Sequence, residues 1–196
     1  KVMVAFVAEF SRGKSELINA IFFADYGRRI MPASAGRTTM CPTELGYDAN
    51  VAPSLRLLPI ETRLQMQGLA EWRMKAERWT EIPLDVGNAD QIAKALEKVA
   101  EVRKVSLDNA RALGFWHDEL TDENPVPDAQ GLVEVPMWRH AIINIPHPLL
   151  KQGLVILDTP GLNAVGAEPE LTVNLIPQAH AVVFILSADT GVTRSD

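Results

Sequence analysis

The stretch V-M-V-A-F-V-A-E-F-S-R-G-K-S-E-L-I-N-A-I-F, from Val2 to Phe22, decides the fold. Its first part, Val2–Val7, is an apolar run without polar alternation, which predicts a strand buried on both faces. Its last part, continued to Ala24, places Leu17, Ile18, Ile21 and Phe22 at helical spacing and predicts a helix from Lys14. Between the two, Ala8–Ser15 reads A-E-F-S-R-G-K-S and matches a phosphate-binding loop, with Ala8 where the first glycine usually stands. A strand before and a helix after are the context that this motif needs. Backbone N–H groups around Ser11–Ser15 would point at phosphate oxygens where the helix begins. Gly13 lets the backbone come close without a side chain in the way. Lys14 would set its ammonium between the β- and γ-phosphates, and Ser15 would offer its hydroxyl oxygen to Mg²⁺. An alanine fits at position 8 only if φ there is negative.

Far downstream, Leu154–Leu157 reads as a second buried strand and runs into Asp158-Thr159-Pro160-Gly161. A carboxylate at the end of such a strand can hold Mg²⁺ directly or through water, and the Gly161 N–H can meet a γ-phosphate. The pattern is short, and it gains its meaning from the phosphate loop upstream. Leu162 follows Gly161, where many small GTPases carry a glutamine that orients the attacking water.

The rest of the chain fits an α/β protein. Gly27–Pro42 is rich in turn residues and reads as a loop, with strands expected at Thr43–Tyr47 and Ser54–Leu58. Residues 61–130 read as a mostly helical insertion, with helices over Ile60–Lys75 and Asp90–Leu113. An Asn88/Gln91 capping box opens the second helix, and an acidic loop covers Thr121–Gln130. His140–Ile145 and Leu154–Leu157 read as a hairpin turning near Gly153. Pro169 starts a short helix that Pro177 ends or distorts, and Ala181–Leu186 reads as another buried strand.

Composition narrows the class. The chain has 196 residues, 47% of them hydrophobic and 22% charged, which suits one globular domain. A net charge of −6 argues against non-specific nucleic-acid binding. One cysteine, Cys41, excludes an internal disulfide framework and suits a reducing compartment. No apolar run is long enough to span a membrane as a helix. The chain begins inside a strand, at Lys1, and reads as a piece of a longer protein. The four histidines sit away from any metal-ligand spacing, so His117, His140, His147 and His180 read as packing or surface residues. Cys41 reads as a small buried filler, and Trp72, Trp79, Trp116 and Trp138 as core or interface anchors.

Three segments together carry a resemblance. They are E-F-S-R-G-K-S-E-L-I-N-A-I, T-T-M-C-P-T-E-L, and W-R-H-A-I-I-N-I-P-H-P-L-L-K-Q-G-L-V-I-L-D-T-P-G-L-N. In them the chain resembles the dynamin superfamily, specifically a bacterial dynamin-like GTPase, with a looser likeness over Ile60–Gln130. The resemblance implies a P-loop NTPase fold of the dynamin G-domain type, here incomplete at its C-terminal end. It implies GTP and GDP as ligands, Mg²⁺ as cofactor with a monovalent cation as a further candidate, and GTP hydrolysis stimulated when two G domains pair. It also implies a helical stalk and membrane lipids as partners, both outside this chain, and a cytoplasmic protein with peripheral membrane association as the further expectation.

Residue by residue, the resemblance implies nucleotide contacts at Phe10, Ser11, Arg12, Gly13, Lys14, Ser15, Glu16, Thr39, Asp158 and Gly161. The metal ligands would be Ser15, Thr39 and Asp158. The catalytic group would be Ser11, Lys14, Thr39 and Gly161, with Thr38 the alternative to Thr39. Ser11 matches a serine that helps place a charge-compensating cation. Phe10 stands where dynamins proper carry a glutamine. Arg12 reads as a surface residue on the loop, or as an arginine finger. No N-K-x-D or T-K-x-D motif stands within residues 1–196, so guanine is implied by the resemblance and by no residue. Two rivals stand beside the enzyme: a nucleotide-responsive scaffold with little hydrolysis, and an ATP-using P-loop protein.

Overall fold

The computed structural model describes residues 1–8, 12–32, 41–122, 124–160 and 174–185. Strand β1 (Val2–Ala8) buries Ala5, Phe6, Val7 and Ala8, as a run without polar alternation should. Helix α1 (Arg12–Phe22) follows it. Its Ile18 and Phe22 are buried, whereas Leu17 and Ile21, which share the apolar spacing, are exposed.

Seven strands form the main sheet. Besides β1 they are β2 (Thr43–Gly46), β3 (Ser54–Pro59), β4 (Thr80–Pro83), β7 (Trp138–Asn144), β8 (Leu154–Asp158) and β9 (Ala181–Ile185). Their spatial order is β4-β3-β7-β2-β8-β1-β9. Strand β1 lies between β8 and β9 and runs parallel to both, with Phe6 opposite Asp158 and Ala8 opposite Ile185. A separate pair, β5 (Val102–Val105) with β6 (Val133–Pro136), is antiparallel.

The hairpin expected between β7 and β8 is not formed. Strand β2 is wedged between them, parallel to β7 and antiparallel to β8. The turn is too wide for a hairpin, because the short helix α5 (Pro148–Lys151) occupies it. That width spans two strand spacings, about 10 Å, which leaves room for a third strand.

Side chains alternate between two cores. One face of the sheet carries Phe6, Leu45, Leu55, Ala141, Ile143 and Ile156 against α1 and α3 (Ala89–Leu96). The other carries Ala5, Val7 and Leu157 against Trp72 and Leu69 of α2 (Leu69–Arg73) and against Trp79. A third cluster joins β5 and β6 to α4 (Leu107–Leu113) through Val105, Leu113, Val133 and Val135.

Residues 61–130 are more broken than their periodicity suggests. The expected helix over Asp90–Leu113 is α3, a 3-10 turn to Ala100, strand β5 and then α4. The apolar rhythm of Ile92, Leu96 and Val99 is helical and buried. Val102 and Val105 belong instead to a strand, where β-branched residues flanking two charged ones are at home. In the same way Ile60–Lys75 divides into a 3-10 turn over Ile60–Leu64 and the short α2.

Asn88 does cap α3 by accepting from the Gln91 N–H at 3.1 Å. The box is half-made, because the Gln91 amide turns to Asp85 and Pro83 instead of the cap. Asn174 and Leu175 are π-helical and pass into a 3-10 turn over Ile176–Gln178 with Pro177 in its first turn, so the helix is distorted and ends there, as expected. The expected helix start at Pro169 lies outside the described residues. Strand β9, expected to be buried, is an edge strand whose Val182, Val183 and Phe184 are exposed, since among the described residues only β1 pairs with it.

Candidate nucleotide site

The site forms where β1 and β8 both end, and register brings it together. Asp158 closes β8 beside Phe6 of β1 on one side and Thr43 of β2 on the other. Open parallel sheets bind ligands in this position, beyond the carboxyl ends of their strands. Helix α1 opens at Arg12, so its first turn holds Gly13, Lys14 and Ser15, whose N–H groups precede the intrahelical ladder.

Lys14 and Asp158, 144 residues apart in sequence, meet here. The Lys14 ammonium donates to Asp158 Oδ1 at 3.0 Å and also to the Thr159 carbonyl. Lys14 is 1% exposed and Asp158 5%. Burial raises the Asp158 carboxyl above the usual carboxylate range, and the charge and hydrogen bond of Lys14 only partly oppose this. Thr159 is pinned behind the pair, its hydroxyl donating to the Phe6 carbonyl at 2.8 Å. Ser15 is equally buried, and its Oγ has no hydrogen-bond partner among the described residues. A buried hydroxyl without a partner costs stability unless something binds it.

Gly13 and Ala8 have clear local reasons. A Cβ on Gly13 would lie 3.2 Å from the Ile185 side chain of β9, so space, not a left-handed backbone, calls for glycine. No described non-glycine residue has positive φ, and Ala8 is the extended last residue of β1, so no glycine is needed there.

Of the remaining expected residues, the Glu16 side chain is exposed on α1. Phe10, Ser11, Thr38, Thr39 and Gly161 lie outside the described residues, as does the Arg12 side chain. The described chain leading on from Thr39 is Cys41-Pro42-Thr43, and Thr43 pairs in register with Asp158. Cys41 is the buried filler expected, its thiol pushed up to about 12 by burial.

One charged cluster was not visible from the sequence. On the sheet face opposite α1, Glu44 of β2 accepts from both terminal nitrogens of the Arg73 guanidinium, from Nη1 at 3.2 Å. It also meets His140 Nε2 of β7 at 3.1 Å. Burial pushes the Glu44 carboxyl up, but His140 and Arg73 more than offset this and hold it at about 2. His140 is wholly buried with Trp79 edge-on at 6.2 Å, and its Nδ1 has no partner among the described residues. His147 caps α5, and His180 accepts from the Met3 N–H at 2.9 Å, so both are structural.

A family model for the dynamin family matches residues 4–196. A curated bacterial dynamin-like protein of Nostoc punctiforme is 35% identical over 57 residues, which are 29% of this chain and 8% of that protein. A solved bacterial dynamin, one of an oligomerised pair described as sensing and tethering membranes at long range, covers the whole chain with a TM-score of 0.52 at 16% identity. This chain spans only 29% of that structure's length. The fold is that of a dynamin-type G domain, and the match from Val4 onward embraces every element of the site, so the chain belongs to the dynamin family.

Proposed function

We propose that this domain binds GTP and GDP with Mg²⁺ and hydrolyses GTP at the β–γ phosphoanhydride. One observation carries the reading: a buried lysine, a buried carboxylate and a buried hydroxyl with no partner among the described residues converge at the ends of adjacent strands, beside the first turn of a helix. Membership of a family of GTPases supports it.

The donor set suits Mg²⁺, which takes oxygen ligands and binds through one or two protein groups plus phosphates. Ser15 Oγ and Asp158 would hold it, with Thr39 as the third ligand. When bound, the ion neutralises charge on the β- and γ-phosphate oxygens. Lys14 exchanges the Thr159 carbonyl for phosphate oxygens, and the α1 N–H groups cradle the phosphates. Thr39 and the Gly161 N–H meet the γ-phosphate, and Ser11 helps place a monovalent cation. Pairing of two G domains raises the hydrolysis rate, and the energy released moves segments outside residues 1–196 that act at membranes. No described helix is long and apolar enough to cross a membrane. A peripheral, cytoplasmic protein is the corresponding proposal for location.

A fluorescent-GTP titration with Mg²⁺ on the intact protein, competed separately by GTP and ATP, tests the assignment. Competition by GTP alone supports it, and equal competition by ATP overturns it. Phe10 in place of a glutamine, with Leu162 after Gly161, favours a second reading in which nucleotide binds and turns over little. Single-turnover hydrolysis at rising protein concentration separates the two, since only pairing raises the rate per molecule.

A further inference from the structure

Thr159 follows Asp158 directly and is buried, 1% exposed. Its hydroxyl donates to the Phe6 carbonyl at 2.8 Å, and its N–H approaches the same carbonyl at 3.4 Å. Phe6 is the β1 residue opposite Asp158, and the register of β1 with β8 ends at that pair, whereas β1 stays in register with β9 as far as Ala8. The ladder therefore holds Asp158 from behind, and Thr159 carries the hold one residue further, where β1 leads on toward the phosphate loop. A hydroxyl at 2.8 Å makes a strong bond and an N–H at 3.4 Å a weak one, so the side chain supplies most of that hold.

The same residue has a second tie to the site. Its carbonyl accepts from the Lys14 ammonium, which also donates to Asp158 Oδ1 at 3.0 Å. Lys14 and Ser15 are neighbours in the first turn of α1, and Ser15 Oγ is buried with no partner among the described residues. Thr159 thus reaches β1 through its hydroxyl and the helix through its carbonyl, and the two contacts fix the peptide that follows the carboxylate. Magnesium demands near-ideal octahedral geometry with ligands at about 2.0–2.1 Å, so a ligand that drifts binds it poorly. Removing a group that orients a metal ligand costs about 10- to 100-fold in metal affinity.

We propose that Thr159 is a positioning residue of the metal site: its hydroxyl anchors the end of β8 to the Phe6 carbonyl, and so holds the Asp158 carboxylate in place beside Ser15 Oγ for the two to bind one magnesium ion. The proposal rests on the Mg²⁺ assignment above. It concerns the metal more than the phosphates, since phosphate binding by Lys14 and the first turn of α1 does not pass through the Thr159 hydroxyl. The methyl group of the same side chain offers packing alone, so the two parts of Thr159 can be tested apart.

The test uses the intact protein and two pairs that isolate the hydroxyl: wild type against Thr159→Val, and Thr159→Ser against Thr159→Ala. Circular dichroism sets a temperature at which the compared proteins are folded, and either pair decides alone should a variant of the other fail to fold. A fluorescent, non-hydrolysable GTP analogue is titrated first in EDTA and then at rising Mg²⁺, so the reading involves no turnover. The expected result is that Thr159→Val and Thr159→Ala need about ten-fold more Mg²⁺ to reach half of its effect on affinity, while Thr159→Ser stays within about three-fold of wild type. Affinity in EDTA should stay within about three-fold of wild type in every variant. An unchanged Mg²⁺ requirement in Thr159→Val or Thr159→Ala overturns the proposal, because the hold then does not matter for the metal. A Thr159→Ser that loses as much as Thr159→Ala overturns it too, because the methyl group is then what counts. Affinity that falls in EDTA as far as it does with Mg²⁺ also overturns it, because the residue then supports the phosphate site or the fold. A wild type whose affinity does not respond to Mg²⁺ sinks the Mg²⁺ assignment first, and this proposal with it.

Discussion

Replacing Glu44 with glutamine keeps the side chain's shape and removes its charge. Burial disfavours the carboxylate here, yet His140 and Arg73 bring the carboxyl down from an ordinary 4.5 to about 2. A carboxyl lowered on folding adds stability above its unfolded value, and that stability is lost as the pH falls through the interval down to its folded value. At ~1.4 kcal/mol per tenfold change in proton affinity, the fall is worth about 3 kcal/mol at neutral pH. The Glu44 side chain is 11% exposed, so water screens the cluster little. Glu44→Gln should therefore lose about 3 kcal/mol of unfolding free energy at neutral pH. The gap to wild type should close as pH falls from 4.5 toward 2. Asp158 acts in the opposite sense, because its carboxyl is raised on folding and the native state takes up that proton more readily. Both proteins share that effect, so it cancels in the difference between them. Urea denaturation followed by tryptophan fluorescence, at several pH values between neutral and about 3, measures the gap. A gap that stays constant across this range would refute the reasoning, since Glu44 would then contribute packing and hydrogen bonds, not a lowered carboxyl.

Lys14→Ala removes the ammonium expected at the phosphates and should weaken fluorescent-GDP binding by about 100-fold or more, while circular dichroism stays native. Tight binding by this variant would move the nucleotide elsewhere. The Cys41 thiol, pushed up to about 12, should react with a disulfide reagent at mildly alkaline pH about a thousand-fold more slowly than a free thiol. In denaturant it should titrate as one thiol per chain. Trp72 of α2 is the largest fully buried side chain among the described residues. Trp72→Ala should cost about 3–5 kcal/mol in a urea melt, and a loss below ~1 kcal/mol would show that α2 is not part of the second core.

The nucleotide end of the domain is legible because its chemistry is local. A strand, a glycine-bearing turn, Lys14 and Ser15 stand in one run, and the run predicts both the element order and the helix that presents the lysine. Asp158 is legible as a strand-terminal carboxylate, although nothing in the sequence says that Lys14 would bond it. The Glu44 cluster is illegible for the converse reason. Its partners are 29 and 96 residues away, and a glutamate inside T-E-L-G looks like the solvent side of a half-buried strand. The order of strands is likewise hidden. Proximity in sequence favours a β7–β8 hairpin, and only long-range register reveals β2 between them. The exposure of strand β9 is hidden too, because A-V-V-F-I has the same composition whether its neighbours cover it or not.

The position of β1 bears on how the chain is made. Strand β1 takes its partners from β8 and β9, which are made long after it, with Val2 opposite Leu154 and Val4 opposite Ala181. On a ribosome adding ~5–20 residues per second, β1 therefore waits about 10–30 s for its neighbours to emerge. Through that interval V-M-V-A-F-V-A is an uncharged, β-prone segment with both faces bare, the kind of window that seeds self-association. Nascent chains of this domain should accordingly depend on holding chaperones until β8 and β9 have appeared, and charged substitutions at the exposed Val2 should ease that dependence without disturbing the finished sheet.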